Sequence, residues 1–132
     1  SAFGEHVISE EVEQSISELC HEKNITVCEF TVAPLINPEK GLPHHEWWIE
    51  FSSSNFDCNM ISDLLDKKMQ EKNIYYKDLI KGKVLKRLEI IDVKKVGFNS
   101  YMKSIGKFGG QNKVPKLCNN REYVKGLKKF SK

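Results

Sequence analysis

The segment Gly106-Lys107-Phe108-Gly109-Gly110-Gln111-Asn112-Lys113-Val114-Pro115-Lys116 gathers three glycines and three lysines into eleven positions. Glycines let a backbone come close to a ligand, lysines supply mobile positive charge, and Pro115 holds Val114 extended. The chemistry this suits is the grip of a phosphate. The spacing G-x-x-x-x-G-K-[ST] is absent, so the loop is no Walker A motif, which argues against a self-sufficient nucleotide triphosphatase. The same composition also fits an exposed surface turn, and only its surroundings separate the two readings.

Other reactive residues assemble less well. His44, His45 and Glu46 sit side by side in sequence, but neighbours on a strand face opposite ways and do not chelate one ion easily, so the pair reads as structural and no metal site is expected. His6 and His21 have no partner evident in the sequence, and no Ser-His-Asp or Cys-His set can be put together. Cys20, Cys28, Cys58 and Cys118 are scattered singly, with no C-x-x-C pair. That argues against a zinc ribbon or a redox dithiol and for free thiols in a reducing cytoplasm, with a single disulfide left open.

At 132 residues the chain suits one domain that buries roughly two thirds of its unfolded surface. With 39% hydrophobic and 30% charged residues, it is neither disordered nor fibrous. No apolar run approaches the roughly 18 residues that span a bilayer, and the start has no basic region followed by an apolar stretch, so a cytoplasmic protein without membrane contact is expected. Ser1-Ala2, with no initiating Met, reads as a scar of tag removal from an excised piece. The formal charge of +3 is uneven: from Lys107 onward, seven lysines and Arg121 stand against Glu122 alone. Such a quarter suits an anionic partner, a small phosphate ligand or a nucleic-acid backbone, or is a solvated tail.

The elements that would carry the loop follow from periodicity. Ser9 as N-cap, Glu10 and Glu11 in the first turn, and Val12, Ile16 and Leu19 at helical spacing predict a helix over 10–22. Residues 25–34 and 45–51 alternate as strands, separated by a turn rich in Pro and Gly. Trp47, Ile49 and Phe51 face one side, and Glu46, Trp48 and Glu50 the other, so Trp48 lies either under a second layer or at an exposed interface. Asn55 or Asp57 caps a second helix to about Lys72, followed by a short helix over 75–80, a strand over 87–93, a helix over 98–105 and a last helix over 121–130. The fold class is α+β, a mixed or antiparallel sheet of at least three strands with helices packed on it.

Several segments together resemble one family. Gly4-Glu5-His6-Val7 resembles the stretch after the interdomain hinge of adenylate-forming enzymes. Phe30 to Pro34, His44 to Phe51, Gly109 to Leu117 and Asn119-Asn120-Arg121 are similar, in that order, to bacterial members of the Gretchen Hagen three (auxin-responsive promoter) family of acyl-acid amido synthetases. The resemblance implies that residues 1–132 are a C-terminal lid domain, cut from a larger N-terminal adenylation domain that is its partner. The whole enzyme would adenylate a carboxylic acid with ATP and Mg and pass the acyl group to an amine or amino acid. The lid alone would bind no cofactor and be inactive.

Within that family the Gln-x-Lys-x-Pro segment carries a lysine that enters the site during adenylation, which falls on Lys113. The nucleotide-contacting residues implied beside it are Lys107, Gly109, Gly110 and Gln111. The chain departs from the family at Lys116 (usually Arg), at Asn120 (usually Asp) and at Asn73-Ile74-Tyr75-Tyr76 (usually Asn-x-Asp-Tyr). Two other classes of function compete: a basic module that binds nucleic acid, and a protein-interaction domain using the aromatic strand around Trp48.

Overall fold

A computed structural model describes residues 2–53 and 56–132. Helix α1 runs over Ser9–Lys23. Ser9 is its first helical residue rather than its cap. The cap is Ile8, which has no hydroxyl to accept the first helical N–H groups as the serine was expected to; its own N–H donates to Glu11 Oε1 at 3.1 Å, the carboxylate half of a capping box. Val12, Ser15, Ile16 and Leu19 form its buried face.

Strands β1 (Val27–Leu35) and β2 (His44–Phe51) pair antiparallel, from Leu35 opposite His44 to Val27 opposite Phe51. The register shifts between Val27 and Glu29, leaving Cys28 as an extra residue and setting Glu29 opposite Glu50. Strand β3 (Glu89–Asp92) lies parallel to β2 on its other side, so the sheet is mixed, in the order β1-β2-β3. A parallel neighbour needs a crossover, and α2 (Cys58–Lys72) and α3 (Ile74–Lys81) supply it. Asp57 caps α2 by accepting the Asn59 N–H at 2.9 Å, whereas Asn55 lies outside the described residues.

Both faces of the sheet are covered. Trp47, Ile49, Phe30 and Val32 pack against Val12, Leu19, Ile61 and Leu65 of α1 and α2. On the opposite face Trp48 and Ala33 pack with Phe98 and Tyr101 of α4 (Gly97–Ser104) and with Val124 and Leu127 of α5 (Glu122–Leu127). Trp48 is thus a core residue, 4% exposed, and not an interface aromatic. Fully burying such a side chain contributes about 1.5–3 kcal/mol. Gly126 sits within α5 because the Tyr101 ring lies where a Cβ would be, 2.3 Å from Tyr101 Oη. The helix expected over 121–130 is α5 plus a 3-10 turn, Lys128–Phe130, whose end bonds back to the sheet from Lys132 N–H to the Asp92 carbonyl at 2.8 Å.

Polar groups stitch the layers. Asn73 ends α2 and caps α3, accepting the Tyr76 N–H at 2.9 Å while its amide donates to Glu11 Oε1 at 3.1 Å and to the His6 carbonyl at 3.3 Å. Buried Asp66 accepts from Tyr76 Oη at 2.5 Å, the Leu88 N–H at 3.1 Å and Gln70 Nε2 at 2.7 Å. Burial and the Asp66 carboxylate hold the Tyr76 phenol far above its ordinary pKa, so it stays a donor.

Candidate functional site

The loop over 105–116 leaves the end of α4 with the Lys107 N–H donating to the Met102 carbonyl at 2.8 Å. It returns at the free edge of β1, where Val32 N–H donates to the Lys116 carbonyl at 3.0 Å and Cys118 N–H to the Val32 carbonyl at 2.8 Å. One root is therefore fixed to α4 and the other to the edge of β1, and the stretch over 106–113 between them is exposed. Gly109 and Gly110 turn it with φ of +81° and +62°, the left-handed region that glycine occupies without strain. Asn112 closes the turn, its N–H and its side-chain amide both donating to the Gly109 carbonyl at 3.3 and 3.2 Å.

An open groove runs beside the loop, lined by Lys107, Gly109, Lys113 and Lys116 with Glu29 and Asn99 among its walls. Of the expected site residues, Lys107, Gly109 and Lys113 line it together. Gly110 and Gln111 form the exposed tip and stand outside the lining. Sequence reasoning missed Asn99 and Glu29, which reach the groove from α4 and β1, because nothing in their local spacing marks them.

The lysines differ in what holds them. Lys116 forms an ion pair with Glu29 Oε1, and its Nζ lies 4.5 Å from the centre of the Phe30 ring. Among the described residues Lys107 and Lys113 form no side-chain ion pair or hydrogen bond. The rest of the basic quarter is partly neutralised. Arg121 pairs with buried Glu46 at 2.8 Å and donates to the Pro34 carbonyl at 3.1 Å, and Lys132 pairs with Asp92 at 3.3 Å.

His44 and His45 are each held beside a carboxylate. His45 Nε2 lies 2.7 Å from Glu5 Oε2, while His44 Nε2 lies 2.6 Å from Glu89 Oε2 and its Nδ1 3.2 Å from the Leu42 carbonyl. Burial would push the Glu5 carboxyl up, but hydrogen bonds from His45 and the backbone N–H groups of Phe3 and Glu5 outweigh it and bring the pKa down to about 2. No group of three or more His, Cys, Asp or Glu stands together for a metal among the described residues. All four cysteines are free thiols, and burial raises those of Cys20, Cys58 and Cys118, which makes them poor nucleophiles. No helix among the described residues is long and apolar enough to cross a membrane.

Residues 10–122 match the model of the GH3 family C-terminal domain. The chain is a GH3 family C-terminal domain. Its fold is similar to that of a GH3.15 acyl acid amido synthetase, with a TM-score of 0.76 and 18% identity over 100% of this chain and 26% of that one. It is also similar to an AtGH3.15 acyl acid amido synthetase in complex with 2,4-DB, with a TM-score of 0.65 and 20% identity over 93% of this chain and 24% of that one. The GH3 domain thus spans about a quarter of those chains. No curated protein matches it by sequence.

The departures from the family pattern are accommodated locally in this GH3 domain. Lys116 keeps a cation against Glu29, and Asn120 Oδ1 accepts the Glu122 N–H at 2.9 Å just before α5, a turn bond two residues on that Asn and Asp side chains both make. Tyr75, where the family carries Asp, is 56% exposed and its ring meets His6 edge-on at 5.3 Å, while the following Tyr76 is in the core.

Proposed function

We propose that this domain is the moving lid of an ATP-dependent ligase that adenylates a carboxylic acid and conjugates it to an amine or amino acid. The observation that carries the proposal is the exposed Lys113, without a side-chain partner among the described residues, on a loop tied at one end to α4 and at the other to the edge of β1, in a domain of the GH3 family. In the intact protein the lid packs on an N-terminal domain that holds ATP, Mg and the acid as substrates.

In this reading the Lys113 ammonium enters that site during the first half-reaction. It offsets negative charge where the acid's carboxylate attacks the α-phosphate and pyrophosphate departs, an electrostatic role of the kind worth on the order of 10² to 10³ in rate. Lys107 adds positive charge on the same groove wall, and Gly109 lets the backbone approach phosphate closely. Gly110 and Gln111 serve as the tip that contacts the other domain or the nucleotide. Cytoplasmic ATP is the supply this chemistry uses.

The test uses the full-length protein with ATP, Mg²⁺ and a panel of carboxylic acids. Acid-dependent exchange of labelled pyrophosphate into ATP, followed by amine-dependent release of AMP, is the expected result. No exchange with any acid, together with salt-sensitive binding of DNA or RNA, would transfer the basic quarter to a nucleic-acid role.

A further inference from the structure

Three lysines line one groove, yet only Lys116 is held among the described residues. Its partner, Glu29, follows the bulge in β1, lines the same groove and is only half-buried. Glu29 cannot turn elsewhere easily. Its Oε1 accepts the Phe30 N–H at 3.0 Å, which keeps the carboxylate at the β1 edge where the loop returns. Lys113 is three residues from Lys116, within about 10 Å of chain.

A lysine beside a half-buried carboxylate pairs with it, and a paired ammonium has little charge left to offer a substrate. We propose that Lys116 is a positioning residue that occupies Glu29 and so keeps the Lys113 ammonium free for the reacting anion. This rests on the role given to Lys113 above. The same contact anchors the loop's return, because the Lys116 ammonium stands over the Phe30 ring while the residue's carbonyl accepts the Val32 N–H.

Anchoring alone and shielding make different predictions when the pair is broken from its two sides. Lys116→Met keeps an unbranched apolar side chain but removes the ammonium, which exposes Glu29 to Lys113. Glu29→Gln breaks the same ion pair and removes the carboxylate that Lys116 had occupied, leaving exposed Glu13 as the carboxylate among the groove's lining residues. In full-length protein, acid-dependent pyrophosphate exchange is expected to fall about fivefold in K116M, the size of one ion pair of this exposure, and clearly less in E29Q. The double variant E29Q/K116M is expected to recover to the level of E29Q, while K116R behaves as wild type.

Equal losses in K116M and E29Q, with no recovery in the double variant, would overturn the proposal and leave a simple anchor. Full activity in K116M would overturn it as well. Melting temperatures of the same variants separate a folding defect from a charge effect, since recovery by a second substitution that removes an ion-pair partner is not expected of a misfolded loop. Unchanged exchange in Lys113→Ala would instead remove the reading on which the proposal rests, and is read independently of the Glu29 variants.

Discussion

Two polar regions of this domain use charge in opposite ways. Around Asp66, Tyr76, Asn73, Glu5 and His45, the polar side chains are buried and their groups meet partners at hydrogen-bond distance. In the 106–116 loop, Lys107 and Lys113 stand in the open with no partner among the described residues, on a backbone turned by glycines. A buried polar group without a partner costs 1–3 kcal/mol, so the first region is bound to be satisfied and its role is to hold the layers together. An exposed cation costs nothing to leave unpaired, so its freedom is available for a ligand.

The contrast breaks most visibly at Asp66. Asp66→Ala leaves the Tyr76 hydroxyl and the Leu88 N–H without their acceptor, and a loss of about 3–5 kcal/mol is expected. Thermal melting should drop by more than about 10 °C, whereas a drop of a degree or two would mean that water replaces the carboxylate.

Next in size is the Glu5 latch. Its folded pKa of about 2 lies below the ordinary carboxylate value of 4.5, so its contribution is present above pH 4.5 and is lost as pH falls toward 2. That contribution is on the order of 3 kcal/mol. Denaturant melts across this window should slope downward in the wild type and be flatter in Glu5→Gln; equal slopes would refute the assignment.

At the small end, Glu18→Ala removes ion pairs to Lys72 at 2.7 Å and Lys68 at 3.7 Å between exposed faces of α1 and α2. A change under about 0.5 kcal/mol is expected, measured as a shift in denaturant midpoint at low salt that vanishes at high salt. Lys113→Ala belongs with it in stability, since the side chain touches no partner among the described residues.

The α+β class, the first two helices and the β1–β2 pair were legible because their apolar residues follow one clear period each. The parallel placement of β3 was not, since Glu89 to Asp92 carries no mark of its partner and only the length of the α2–α3 crossover favours it. Trp48 stayed ambiguous for a similar reason: alternation says which face it takes, but α4 and α5, which cover that face, are separated from it by more than forty residues of chain. Within the site, Lys107, Gly109 and Lys113 could be read because they lie in one segment. Glu29 and Asn99 could not, because the fold alone brings a bulged strand and a helix to that groove.

Lys113 is proposed to supply charge to the adenylation step and nothing to the fold. This is tested most directly by acid-dependent pyrophosphate exchange in full-length wild type and Lys113→Ala, with melting temperatures measured alongside. Exchange is expected to fall on the order of 10² to 10³ at an unchanged melting temperature. Exchange that stays within about twofold of wild type would contradict it.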